Sequence, residues 1–236
     1  TATQMIAPAK STFNGWTKLT LVNLSNVTTI GKGAFNNCEN IESMTFSKNL
    51  QSMGLNICKN ISKVFADDIA TILKVMLSWD GAKGAVQHPI DYYVNDQLLT
   101  DITIPDGTTT LPTYCLFATS ASTIVLPATL TSIEAYALAY ATPEKVYCYA
   151  TTPPTIADSY TLSTLSQAIV YIPYGTKTTY EADSNWKKVQ LIELPNTEEI
   201  TWETVTVSEG GGLRLALSEL EATKVKHLRI NGKLKI

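Results

Sequence analysis

Arginine is almost missing from this chain: Arg214 and Arg229 are the only two in 236 residues. With a net charge of −3 there is no basic field to hold a phosphate backbone, so nucleic acid is excluded as a partner. Charged residues of all kinds make up 17%, against roughly 25% in ordinary globular proteins. Threonine fills much of that gap, and it favours strands and hydroxyl-bonded turns. Between Thr108 and Ile133 no residue carries a charge. That run is still no membrane span, because Pro112, Pro127 and many hydroxyl side chains interrupt the stretch of about 20 apolar residues a span needs.

Histidine is equally scarce. His88 precedes Pro89, His227 lies between Val225 and Leu228, and neither has a serine or carboxylate at triad spacing. The patterns G-x-S-x-G, H-E-x-x-H and G-x-x-x-x-G-K-[ST] are absent, which argues against an enzyme, and no cofactor is expected. Cys38, Cys58, Cys115 and Cys148 form no CxxC pair and have no histidine at zinc spacing. They read as buried thiols, with a Cys38–Cys58 disulfide as the alternative. Asp91, Asp96, Asp101 and Asp106 recur every five residues. Calcium needs ligands converging from a compact turn, whereas a hairpin and strand spread these side chains apart, so turn and strand-edge roles are expected and no metal site. The chain begins at Thr1 with no methionine or leader, which is silent on export.

What the chain has is repetition. Ile102-Thr-Ile104-Pro105 lies over Ile124-Val-Leu126-Pro127 at an offset of 22, and Leu111 over Ile133, Tyr114 over Tyr136 and Leu116 over Leu138 keep that register. Val146-Tyr-Cys148 is the next copy. Phe13 and Phe35, Leu19 and Ile41, Val22 and Met44, and Leu24 and Phe46 obey the same period, while Cys38–Phe46 and Cys58–Ala66 match at an offset of 20. A fixed period in this range marks a solenoid, whose units bury their apolar faces only by stacking. Within each unit the spacing apolar-x-x-apolar-x-apolar, as in Ile41-x-x-Met44-x-Phe46, ends in the alternation of a short half-buried strand.

The stretch IGKGAFNNCENIESMTF, Ile30 to Phe46, resembles the I-G-x-x-A-F-x-x-C-x-x-L-x-x-I-x-L pattern of the BspA-type leucine-rich repeats of bacterial surface proteins. Leu111–Leu116 and Ile133–Leu138 are weaker copies, with Pro112 and Glu134 at the glycine position and leucine for phenylalanine. The resemblance covers most of residues 6–195. It implies a repeat solenoid of leucine-rich repeat type, mainly β, with one short parallel strand per ~22-residue coil. It also implies an extracellular place, at a bacterial cell surface or secreted, and adhesion or coaggregation as a functional class.

Five segments are expected. Residues 1–66 and 101–150 are repeats, separated by an insertion at 67–100. There DDIATILKVMLSW has helix spacing behind an N-cap aspartate, and YYVNDQLLTDITI turns at Asn95-Asp96 as a hairpin. Residues 151–195 read as a capping segment with a short helix toward Trp186. Residues 196–236 shift in composition, and Val225-x-x-Leu228-x-Ile230 restates the repeat. That last strand is expected either to open a second repeat module or to pair with another chain by self-association near Leu228.

The middle strand positions point away from the core: Asn23, Thr45, Phe65, Thr103, Val125 and Tyr147, with Tyr149 two places on. Phe65, Val125 and Tyr147 are apolar for such positions, so the expected ligand site is Phe65, Thr103, Val125, Tyr147 and Tyr149, for an extracellular protein or glycan. The competing expectation is that the insertion folds over these side chains and buries them. Two other functional classes compete with recognition. One is a carbohydrate-active β-helix enzyme, which needs paired carboxylates on adjacent coils. The other is a structural spacer of a larger surface protein.

Overall fold

The computed structural model describes residues 12–58, 60–78 and 89–196, and the backbone of two later strands, 203–207 and 228–232. Residues 1–194 and 195–236 form two units.

The first unit winds coil by coil. The N-terminal coils carry β1 (Leu21–Leu24), β2 (Thr29–Ile30), β3 (Ser43–Phe46), β4 (Ser52–Met53) and β5 (Asn56–Ile57). Next come β6 (Lys63–Ala66), α1 (Ile69–Ile72), β7 (Leu77–Ser78) and the hairpin β8 (Asp91–Val94) and β9 (Gln97–Leu98). The later coils carry β10 (Asp101–Thr103), β11 (Thr110–Leu111), β12 (Thr123–Leu126), β13 (Ser132–Ile133), β14 (Lys145–Cys148) and β15 (Thr155–Ile156). The end of the unit is α2 (Ser159–Leu165), β16 (Ile169–Ile172), α3 (Lys177–Ala182), a 3-10 turn at Trp186–Lys188 and β17 (Gln190–Glu193).

Two five-stranded sheets result, ordered β1-β3-β6-β8-β9 and β10-β12-β14-β16-β17. Every pairing in them is parallel except that of β8 with β9. Leu24 meets Phe46 and Ile102 meets Ile124, both an offset of 22, while Met44 meets Val64 at 20. Strand residues alternate, so Met44, Val64, Ile124 and Val146 point inward and are fully buried. One continuous apolar core runs from Leu24 to Val189, at about 1.5–3 kcal/mol for each large side chain taken from water.

The expected insertion is in part a lengthened coil. Its helix is short, four residues capped by Asp68, whose carboxylate accepts from Thr71 N at 2.7 Å. β7 then pairs in parallel with β5, and β8 returns to the sheet beside β6, Lys63 against Asp91, an offset of 28. The hairpin turn sits at Asn95 and Asp96, at φ 49° and 60°, the left-handed pair that a tight two-residue turn requires. The sheets meet without a strand pairing: Ile90 bridges Thr119, Ser120 Oγ donates to Asp91 (2.6 Å), and the buried Tyr92 hydroxyl donates to Phe117 O (3.2 Å).

Polar side chains stitch coil to coil. Asn40 Nδ2 donates to Thr17 O and Asn60 Nδ2 to Glu39 O, the same bridge one coil apart. Buried Asn56 accepts from Phe35 N (2.8 Å) and donates to Gly54 O (2.7 Å), so backbone groups where coils turn are satisfied. Beside it Gly54 packs against the preceding coil so closely that an added Cβ would lie 2.6 Å from Lys32 N and 2.7 Å from Lys32 Cα. Gly54→Ala is therefore expected to lose about 1–3 kcal/mol in urea unfolding, since backbone must move to admit one methyl. A loss below a few tenths would show that these coils are loosely stacked.

The second unit contains β18 (Glu203–Val207) and β19 (Leu228–Gly232), a parallel pair with Glu203 against Leu228. The strand expected near Leu228 as an open edge is thus paired along one side within its own chain. The Gly210–Gly212 run and most of the basic tail lie outside the described residues.

Candidate functional site: the outward strand ladder

The outward positions form a ladder on each sheet. On the first, Asn23, Thr45, Phe65 and Tyr93 are consecutive partners, and Leu98 of β9 lies opposite Tyr93. On the second the order is Thr103, Val125, Tyr147, Tyr171 and Ile192. Phe65 and Tyr93 stack at 4.6 Å and 19°, Tyr147 and Tyr171 at 4.7 Å and 13°. Parallel register at one coil of separation produces these stacks, because equivalent side chains stand directly above each other.

Of the five expected site residues, Thr103, Val125 and Tyr147 are consecutive partners in one ladder. Tyr149 is exposed just beyond β14, and its N–H donates to Leu126 O. Phe65 stands in the other sheet, separated from Thr103 by the rungs Tyr93 and Leu98. Phe65, Val125 and Tyr147 are half-buried and Thr103 is exposed; over Phe65 the hairpin of the expected insertion lays the ring of Tyr93, so that side chain is covered in part as the competing expectation has it. Their partial burial comes from their own ladder neighbours. Tyr93, Leu98, Tyr171 and Ile192 were missed, although Leu98 and Ile192 are 45% and 39% exposed. The alternation Tyr171-x-Pro173 beside inward Val170 and Ile172 was the available signal for Tyr171.

Other chemistry is thin. His88 and His227 lie outside the described residues. Among the described residues no group of three or more His, Cys, Asp or Glu side chains is placed to hold a metal ion. All four cysteines are free and buried, so the Cys38–Cys58 disulfide is not formed; the Cys38 thiol instead donates to Phe13 O (2.9 Å). A polar hollow of about 620 Å³ is lined by Asn26, Thr28, Lys48, Gln51 and Lys74 among others. Its two ammonium groups do not make an anion site, because Lys74 donates to Leu50 O and Asp67 and Asp68 stand beside them. Thr71 hydrogen bonds foremost, and then those lysines, hold the Asp68 carboxyl below its usual range.

The BspA type leucine rich repeat region matches this chain in six copies, over residues 4–73 and 90–175. The chain belongs to the BspA-type leucine-rich repeat family. No curated protein matches it. Both matched stretches of the BspA-type array carry the ladder, and the second begins at Ile90, at the foot of β8. Tyr93 is therefore a position within the repeats. No helix among the described residues is long and apolar enough to cross a membrane.

Proposed function

We propose that this BspA-type repeat protein is a non-enzymatic adhesion module of a bacterial surface, and that its strand face holds an extracellular protein. The observation that carries this reading is the pair of stacked aromatic rungs, Phe65–Tyr93 and Tyr147–Tyr171, set among threonine and valine on the outward ladders. Stacked rings lose little freedom on binding and offer apolar area with a hydroxyl handle, the character of residues that dominate interfaces. The family supports a surface location and protein binding as a class. In the same reading residues 196–236 begin a second repeat module, because β18 and β19 pair in parallel at 228 − 203 = 25 residues, close to the coil length.

The test is binding of the purified chain to immobilised extracellular-matrix proteins and mucosal glycans, beside a Phe65→Ala/Tyr147→Ala variant. Both rings are half-buried and outside the core, so the variant should keep its circular dichroism spectrum. If each is an anchor worth about 2 kcal/mol, affinity for the protein ligand falls at least a hundredfold. A ligand that the folded variant binds unchanged removes the strand face from the function. Capture of glycans alone, lost in the variant, would replace the protein partner by a sugar at the same face.

A further inference from the structure

The C-terminal repeats build a second aromatic surface that is not on the strand ladder. In the turns after β11 and β13, Tyr114 stacks on Tyr136 at 4.8 Å and 7°, and Tyr136 stacks on Tyr160 of α2 at 5.2 Å and 27°. Tyr140 leans on Tyr160 at 5.7 Å and on Phe117 at 5.4 Å, and Phe117 also contacts Tyr114 at 5.5 Å. Phe117 is buried beneath, the other rings are partly exposed, and Tyr160 at the end of the stack is 45% exposed.

The backbone under these rings resists them. Tyr114, Tyr136 and Tyr140 all have φ of 61°, the left-handed region that side chains with a Cβ disfavour. Two residues before the buried phenylalanine of the second repeat, Phe35, stands Gly33 at φ 70°, and two after it stands Asn37 at φ 59°. Gly and Asn are the residues that accept this conformation most cheaply. Counted from the equivalent buried Leu138, those places hold Tyr136 and Tyr140, and counted from Leu116 the first holds Tyr114. The coil geometry thus asks for Gly or Asn, and the sequence supplies tyrosine at three of the four places and, after Leu116, the buried Ala118 at φ 55°. Three strained places on adjacent coils carry rings of one aromatic plate, which points to a use for the plate.

We propose that Tyr114, Tyr136, Tyr140 and Tyr160 form a binding site for a neutral glycan, separate from the strand face. The surface is apolar over its rings and hydroxylated at its phenol tips, which matches a sugar ring with C–H faces and hydroxyl edges; the electron-rich ring face attracts those C–H groups. It is also poor in cations: Lys145 is the only basic residue between Thr108 and Thr176, while the acids beside the rings are Glu134, two residues before Tyr136, and Asp158, whose oxygens are fully engaged. Asp158 accepts from Tyr136 N (2.8 Å), Tyr160 N (2.7 Å), Thr161 N (3.0 Å) and Thr161 Oγ1 (2.9 Å). It thereby fixes two of the rings relative to each other and has no hydrogen-bonding capacity left over. An anionic glycan would find no counter-ion there and would lose hydration without compensation.

The test titrates the chain with cellohexaose, mannohexaose and laminarihexaose, with sialyllactose as the charged comparison, followed by saturation-transfer NMR and calorimetry. Three variants accompany it. Tyr136→Gly and Tyr140→Asn install the residues that the repeat of Phe35 uses at those places, so relieved strain offsets the lost stack and the melting temperature stays within a few degrees. Tyr160→Ala removes the most exposed ring. Saturable binding of at least one neutral hexasaccharide is expected, weakened about tenfold or more in each variant and unchanged in Tyr147→Ala, which alters only the strand ladder. Absence of saturable binding to all three at millimolar concentration overturns the proposal. So does binding that the folded variants retain, or a preference for sialyllactose.

Discussion

Replacing Trp186 with alanine is expected to cost about 3–5 kcal/mol, more than any substitution on the strand face, because this indole is the largest fully buried side chain among the described residues and ties its turn to Pro154. Trp186 is fully buried, its Nε1 donates to Pro154 O at 2.7 Å, and its ring meets Tyr180 edge-on at 5.2 Å and 81°. Tyr180 in turn donates its hydroxyl to Ala150 O at 2.7 Å, which leaves the Cys148 thiol to donate to the tyrosine oxygen at 3.3 Å. The 3-10 turn that carries the indole is held by Asp183, whose carboxylate accepts from Asn185 N and Trp186 N. Alanine would leave a cavity and an unpaired Pro154 carbonyl over the last coil. At about 2–4 °C per kcal/mol for a chain of this size, the melting temperature should fall by about 6–20 °C. Trp186→Phe fills most of the cavity but loses the Nε1 bond and should cost visibly less. A melting temperature unchanged by Trp186→Ala would mean that the indole does not anchor its turn to the core.

The coils were legible where their length is constant. Val22 and Met44, Leu24 and Phe46, Ile102 and Ile124, and Leu111 and Ile133 were paired from spacing alone, and each pair is a register pair in the sheets. A fixed offset fails where a helix replaces part of a coil. With α1 intervening, Phe65 finds its partner 28 residues on at Tyr93, and with α2 intervening, Tyr147 finds Tyr171 after 24. Both partners are aromatic, so the rungs that missed the period are the ones that complete the stacks. The tyrosine plate was hidden for a different reason. Tyr114 and Tyr136 were aligned correctly, but a hydrophobic pattern carries no information on φ, and only the left-handed backbone separates a ring held against strain from a ring that fills space. Trp186 was placed near the cap helix, while its burial depends on a carbonyl 32 residues earlier, which no local pattern encodes.

The other large effect concerns alkali: stability should decline steeply above about pH 8.5, before any surface group accounts for it. Burial pushes the thiols of Cys58 and Cys115 up to about 12, with the neighbouring Cys38 adding to the shift at Cys58. Burial also raises Cys148 and carries the phenols of Tyr92 and Tyr180 well above their ordinary range. In the unfolded chain these groups ionise near their reference values, roughly 8.5 for cysteine and 10 for tyrosine. Below pH 8 both states keep the protons and stability is indifferent to pH. Above that the unfolded chain releases protons that the folded chain retains, so it binds fewer, and stability falls with rising pH. The loss continues until the folded groups themselves ionise, near 12 for the two thiols. Each released proton steepens the slope by about 1.4 kcal/mol per pH unit, so Cys58 and Cys115 alone should remove about 4 kcal/mol between pH 8 and 10. Urea midpoints across that range measure it, and Cys115→Ala, whatever its own cost, should flatten the slope by close to one proton. A midpoint constant up to pH 10 would mean that water reaches these buried thiols in the folded state. The same burial predicts that all four thiols resist a disulfide exchange reagent at pH 8 until denaturant is added.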